Sequence, residues 1–408
     1  MNILLINHYA GSPDYGMEFR PYYMAKEWIS QGHNVMIIGG SFSHLRKIQP
    51  ENSKNVIDGI QYRWVKLNKY KGNGIGRIFS MFSFVSKLYC RYNNYLSGFK
   101  PDIVIASSTY PLDIYPAYKI AKYNQAKLIY EVHDLWPLSP MELGGYSPNH
   151  PFIKIMQKAE DDCYKLADVV VSMLPKAEEH MKEHGLASGK FYYVPNGIVL
   201  SDWNNPKDVP IKHKILLKEL HDKGKFIVGF AGAHGIANSL YTVIDSVGNL
   251  DDDDIVLVLV GNGQEKENLM RYAQQKRYQN IYFLPPVNKL SIPNLLREMD
   301  ALYIGLQKQS LFRFGISPNK MFDYMMAGKP IIQAIDAGNN LVREADCGIA
   351  VEPDNIREVM NAICTLKNMS ESERNIYGEK GKCFVLANHT YQVLGERFLN
   401  IMKKLNKQ

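Results

Sequence analysis

Short unbroken apolar runs alternate with helix-periodic stretches along the whole chain. Ile3–Asn7, Val35–Gly39, Ile103–Ala106, Leu128–Val132 and Val169–Ser172 mark the first half. Phe226–Ala231, Ile255–Val260, Ile281–Leu284 and Ala301–Ile304 mark the second. A strand that carries apolar side chains in both directions is buried on both faces, as in a parallel sheet covered by helices. Between the runs, Ala25, Trp28 and Ile29, then Phe152–Leu166 and Glu265–Lys276, follow helical spacing. The alternation predicts an α/β protein with two doubly wound parallel sheets in succession. Near the end, Leu394, Phe398, Ile401 and Met402 predict one more helix.

With 408 residues the chain exceeds one ordinary core. We divide it into 1–199 and 200–385. The Lys-rich stretch Ser201–Lys225, with Pro206 and Pro210, reads as the linker. Composition is that of a soluble globular protein, 46% hydrophobic and 22% charged. The start, Met1-Asn2-Ile3-Leu4-Leu5-Ile6, lacks a basic flank and reads as a buried strand rather than a leader. No apolar run approaches the ~18 residues of a membrane span. The five cysteines are scattered without a C-x-x-C pair, so neither a disulfide framework nor a zinc site is expected, and a reducing cytoplasm is the simplest compartment.

Charge adds one regional feature. From Gly59 to Pro101 there is no Asp or Glu, while eight basic residues and ten aromatics are present. That composition suits an anionic lipid surface, with single-stranded nucleic acid as the competing partner and a solvated basic face as the bland one.

Candidate chemistry gathers where strands end. The first strand leads into a loop with Gly11 and Gly16, but no G-x-G-x-x-G follows, which argues against a dinucleotide site. His133 and Asp134 follow the strand Leu128–Val132. The stretch F-R-F-G-I-S-P-N-K-M-F-D-Y-M-M-A-G-K-P-I-I predicts a helix with Ser317 as N-cap, Pro318 in its first turn, and Met321, Phe322, Met325 and Met326 on its apolar side. A helix start offers free N–H groups to an anion, phosphate being the commonest, and Asp323 one turn in suits a sugar diol. A capped structural helix would read the same way locally.

Taken together, these marks resemble glycosyltransferase family 4, the retaining transferases of GT-B architecture. The marks are the first βαβ unit, His133 after a strand, V-P-N-G-I at the crossover, G-N-G after a buried strand and the A-G-K-P-I-I ending. The forms E-V-H-D-L-W-P and G-I-S-P-N-K-M-F-D-Y-M resemble the branch that builds bacterial O-antigen and capsule chains. The resemblance implies two Rossmann-like domains, the first for the acceptor and the second for a nucleotide-sugar donor. A final helix, 386–408, is then expected to return to the first. It implies that Asp323 binds the donor ribose, that His133 faces the donor sugar, with Asp134 setting its tautomer, and that Gly11 and Gly16 approach the phosphates. Glu18 and Arg20 are expected near the acceptor, with a structural salt bridge as the equal alternative, and Leu284, Pro285 and Val287 near the base.

Two departures qualify the comparison. Family members carry paired glutamates eight residues apart, and here the first position is Gly315. The Arg and Lys that usually hold the diphosphate fall on Ala233 and Asn238. A dianionic leaving group still needs compensation, so Arg313, Lys320, Ser317, Asn319, His234 and Asn238 are the expected donor contacts. The resulting expectation is a metal-independent transferase with no cofactor. It would move a sugar from a nucleotide diphosphate, UDP favoured, to a polyprenyl-diphosphate-linked saccharide. It would lie peripherally on the inner face of the cytoplasmic membrane through 59–101, without nucleic acid. A sugar-nucleotide epimerase or hydrolase, and a non-catalytic nucleotide-sugar or polyanion binder, are the alternatives.

Overall fold

The computed structural model describes all residues except Met17, Glu18, Asn73 and Gln408. The chain forms two compact units, Met1–Asn196 with Tyr391–Gln408, and Gly197–Thr390.

The first unit holds an eight-stranded sheet. Its strands are β1 (Asn2–Ile6), β2 (Asn34–Gly40), β3 (Lys54–Ile57), β4 (Ile60–Val65), β5 (Ile103–Ala106), β6 (Lys127–Val132), β7 (Val169–Ser172) and β8 (Phe191–Tyr193). They lie in the order β3-β4-β2-β1-β5-β6-β7-β8, and all pairs are parallel except β3 with β4. The chain winds outward in both directions from β1 and β5, so the crevice past their carboxyl ends is where polar groups can collect. The Tyr391–Asn406 helix closes this unit against the Phe19–Ser30 helix. Trp28 meets Phe398 edge-on with ring centres 5.2 Å apart, and its indole N–H donates to the Gly395 carbonyl at 3.2 Å.

The second unit carries β9 (Phe226–Ala231), β10 (Ile255–Val260), β11 (Ile281–Leu284), β12 (Ala301–Gly305), β13 (Ile331–Ala334) and β14 (Gly348–Val351). Their order is β11-β10-β9-β12-β13-β14, and every pair is parallel. Here the winding reverses between β9 and β12. Strands β9, β10 and β12 are buried at every position, which is why they read as unbroken apolar runs.

The structure corrects the expected linker. Ser201–Lys225 contains helices at Leu200–Asn204 and Ile211–Asp222, with Trp203, Leu217 and Leu220 in the second core. The abundant lysines sit on the outer side of an amphipathic helix, which a count of polar residues takes for a loop.

Candidate functional site

In the second unit, polar groups gather at the reversal between β9 and β12. The loop Gly232–Gly235 follows β9, and G-N-G, residues 261–263, follows β10. Gly261 and Gly263 are required by close approach. A Cβ on Gly261 would stand 1.9 Å from the Gly232 carbonyl oxygen, and one on Gly263 would stand 2.3 Å from that of His234. Two loop backbones are thereby pressed together at the sheet's edge.

The Asn319–Met326 helix opens beside this loop. Its N-cap is Pro318 and no side chain caps it, so Ser317 stands one residue before the cap and does not serve as the expected cap. Met321, Phe322, Tyr324 and Met325 are buried in the core. The Tyr324 hydroxyl accepts the Ala231 N–H at 2.9 Å, which ties the helix to the end of β9. Asn319 is exposed at the first turn.

Lys320 points back from that turn toward the loop. Its ammonium hydrogen-bonds the Asn238 side-chain carbonyl and lies 4.7 Å from the centre of the Phe230 ring. Asn238 is itself held by donating to the Ala233 carbonyl at 2.9 Å. Burial pulls Lys320 down to about 8, and no carboxylate pairs with it among the described residues. A cation enclosed without a counter-charge is a place built for an anion.

His234 differs from expectation. It is fully buried, packs near Phe230 and Phe283, and neither ring nitrogen has a partner among the described residues. Burial first, then the charges of Lys266 and Lys320, lower it to about 4. Without a bound anion it is neutral at pH 7.

Asp323 is half-buried and accepts the Trp203 indole N–H at 3.3 Å. Burial raises its carboxyl to about 6, opposed by Lys289 and the indole. Gly315, where the family's first acid would stand, has φ 98°. An L side chain is strained there, so the acid is excluded by the backbone as well as by the sequence. Arg313 is exposed, donates to the Ser310 carbonyl at 2.7 Å and lies over Phe314. In the expected base loop, two carbonyls are engaged. Leu284 accepts from Lys266 at 2.8 Å, and Pro285 pairs with the His213 ring at 2.8 Å. Val287 is half-buried beside the core.

In the first unit the strand-end cluster is organised by Glu131, which sequence reasoning passed over. One carboxylate oxygen accepts from Arg20 Nε at 3.0 Å. The other accepts from Ser107 Oγ at 2.6 Å and lies 3.3 Å from His133 Nε2. Ser107 Oγ is 2.9 Å from the same ring nitrogen. Burial alone would raise Glu131, but Arg20, His133 and Ser107 outweigh it and hold the carboxyl at about 2.

One expectation changes here and another is decided. Asp134 is not the partner of His133; it turns to Ser139 and to the Leu135 N–H at 2.9 Å, capping its own loop. Of the two readings of Arg20, near an acceptor or in a structural salt bridge, the salt bridge to Glu131 is the one seen. Arg20 is 5% exposed and spends its remaining donors on the Pro195 and Val194 carbonyls. The signal for Glu131 was an acid inside an apolar strand run, an arrangement tolerated only with a buried partner. Glu18 lies outside the described residues. Gly11 is buried and its carbonyl accepts from Tyr62 at 3.0 Å; Gly16 turns the loop with φ 81°.

Of the basic residues in 59–101, Arg63 and Arg77 turn inward, Arg77 donating to the Tyr9 hydroxyl at 3.0 Å and lying over the Tyr9 and Trp136 rings. Lys66, Lys69, Lys71, Lys87, Arg91 and Lys100 are exposed. Ile75, Phe79, Phe82 and Tyr89 are exposed along the Ile75–Leu96 helix.

Comparison with known proteins places these features. The family model Glycosyltransferase Family 4 matches residues 15–202, and Glycosyl transferases group 1 matches residues 225–368. The chain is 26% identical over 196 residues to a putative colanic acid biosynthesis glycosyl transferase, WcaI, of Escherichia coli, covering 47% of this chain and 46% of that protein. The chain spans about half the length of the curated relatives it matches. Its fold matches sucrose-phosphate synthase of Thermosynechococcus elongatus with a TM-score of 0.75 at 13% identity, covering 99% of this chain and 98% of that one. It also matches Anabaena HepE solved with UDP-glucose, with a TM-score of 0.64 at 14% identity over 99% and 100% of the two chains. These likenesses establish the GT-B fold.

Proposed function

The chain belongs to glycosyltransferase family 4, and from that footing we propose that it transfers a sugar from a nucleotide diphosphate to a lipid-linked glycan. The observation that carries this reading is Lys320, a half-buried cation whose only hydrogen-bond partner among the described residues is the neutral Asn238 amide. It stands at a helix start beside a glycine-lined loop, and a diphosphate supplies the missing charge. The donor is read as a UDP-sugar, supported by the HepE likeness, and the product as a surface polysaccharide, supported by the relative named for colanic acid biosynthesis.

In this reading Lys320, with the free amides of the first turn, takes the diphosphate, and Asp323 takes the ribose hydroxyls. Asp323 sits near its own titration point, and a diol that donates to it favours the ionised form. His133, held by Glu131 and Ser107, offers a fixed ring to a sugar hydroxyl. The acceptor hydroxyl attacks the face that the diphosphate leaves, and the departing phosphate oxygen takes its proton. Configuration is retained, and neither an enzyme nucleophile nor a metal is used. Lys320 stabilises charge as it develops on the leaving group. The exposed lysines and the apolar side of the Ile75–Leu96 helix support peripheral docking on the anionic inner face of the cytoplasmic membrane. Among the described residues no helix is long and apolar enough to cross a membrane.

The test is incubation with a panel of nucleotide sugars, with and without polyprenyl-diphosphate-linked saccharides. Acceptor-dependent release of nucleotide diphosphate with a lengthened lipid-linked glycan supports the reading. Epimer or free sugar from donor alone, or binding without turnover on any acceptor, refutes it.

A further inference from the structure

A second polar cluster, in the first unit, shares no residue with the Glu131–His133 group. It joins the Pro151–Leu166 helix to the short Glu178–Glu183 helix that follows β7. From the first helix come Gln157, Glu160 and Asp161. His180 lies in the second, and His184 is its C-cap, four residues on and so on the same side. Glu160 is 1% exposed, and Tyr164 donates to its Oε1 at 2.8 Å. His180 Nε2 lies 3.2 Å from the same oxygen. His184 Nδ1 lies 3.0 Å from Asp161 Oδ1.

The Gln157 amide nitrogen stands in the middle. It is 2.8 Å from Glu160 Oε2, 3.0 Å from Asp161 Oδ1 and 2.9 Å from His184 Nδ1. These contacts cannot all be hydrogen bonds. If His184 Nδ1 carries a proton for Asp161, two N–H donors face each other at 2.9 Å. If it is bare, the amide's two protons meet three acceptors, and Nδ1 and Oδ1 confront each other as lone pairs. Reversing the amide sets oxygen against two carboxylates. With both carboxylates ionised, every assignment of the remaining protons leaves a repulsive contact.

A divalent cation in place of the amide removes the conflict, because the lone pairs of Glu160, Asp161 and His184 then face positive charge. One ligand atom from each of Glu160, His180 and His184 already falls within 4.8 Å of the others. Bonds of about 2.0–2.1 Å at a tetrahedral centre set ligand atoms roughly 3.3 Å apart, and the His180–Glu160 and His184–Asp161 contacts of 3.2 and 3.0 Å are near that spacing. Two imidazoles with a carboxylate suit zinc better than calcium or magnesium.

We propose that Glu160, His180 and His184 form a zinc site, with Asp161 at its open edge and Gln157 swinging out when the ion binds. The ion clamps the segment after β7 to the helix across it. This site is a structural brace, independent of the transferase reading. The cysteine pattern gave no hint of it, because its ligands come from two helices separated by a strand.

The experiment uses the untagged full chain, stripped with chelator and titrated with Zn2+ by calorimetry, and with Co2+ by visible absorption. One ion per chain with micromolar or tighter affinity, a zinc-dependent rise in melting temperature and the visible bands of tetrahedral Co2+ are expected. Loss of a supporting partner alone costs metal sites 10–100-fold, so His184→Ala should weaken zinc by more than about 100-fold. His184 is 29% exposed, so that variant folds, and its melting temperature without zinc checks it. Gln157→Ala should bind as tightly as the parent or tighter. No saturable binding at micromolar zinc, unchanged affinity in His184→Ala, or loss of affinity in Gln157→Ala overturns the proposal.

Discussion

Replacing Lys320 with Met should weaken donor binding and strengthen the ligand-free protein together. Burial lowers the lysine from 10.5 to about 8. At 1.36 kcal/mol per pH unit, keeping it charged at pH 7 costs about 3 kcal/mol relative to the unfolded chain. Its folded value lies below its unfolded value, so the cost is full below pH 8 and fades as pH rises toward 10.5. Lys320→Met removes the cost but strands the Asn238 carbonyl, and a net gain of about 1–2 kcal/mol is expected. The bound diphosphate loses a charge-assisted hydrogen bond of about 1.5–3 kcal/mol, or roughly 10–100-fold in affinity. In the parent, UDP affinity should be flat below pH 8 and fall about tenfold per pH unit above it, because binding then takes up a proton. Calorimetric titration of UDP from pH 7 to 9.5, with melting curves of both proteins, reads all of this. The variant serves as the blank for ionisation of the base. A flat parent profile, or a variant that loses affinity and stability together, would refute the assignment of Lys320 as an anion site.

Glu131→Gln should destabilise the first unit by about 3–5 kcal/mol at pH 7, because it leaves Arg20 buried without its counter-charge. The folded carboxyl at about 2 lies below its usual 4.5, so its contribution is present above 4.5 and lost as pH falls toward 2. Urea midpoints of parent and variant should therefore converge between pH 4.5 and 2. Gly315→Glu should not restore a second acid; the backbone at φ 98° and ψ 172° is one that essentially only glycine adopts and costs about 1–3 kcal/mol, seen as a lower melting temperature without gain in turnover. Phe79→Glu, at a side chain 70% exposed, should cut sedimentation with anionic vesicles by about tenfold or more while UDP affinity is unchanged. Equal sedimentation would remove this helix from the membrane contact.

Much of the architecture is legible in the sequence because parallel strands covered on both faces must be apolar throughout. The runs at Ile103–Ala106, Phe226–Ala231 and Ile255–Val260 could be read without any contact being known. The G-N-G turn and the helix after Pro318 were equally plain, since glycine and proline restrict the backbone locally. Partner choice was not legible. Asp134 is adjacent to His133 in sequence, yet Glu131, two residues back and one pleat over, takes the ring. Arg20 crosses to the Val194 and Pro195 carbonyls, and His234 is buried and, without a bound anion, neutral at pH 7. Hydrogen bonding and desolvation depend on distances between segments far apart in the chain, and no local pattern encodes those. Sequence determined the elements and where their ends would gather. Only the tertiary structure decided which charges are paired, which are buried neutral, and that Lys320 meets the Asn238 amide with no carboxylate beside it among the described residues.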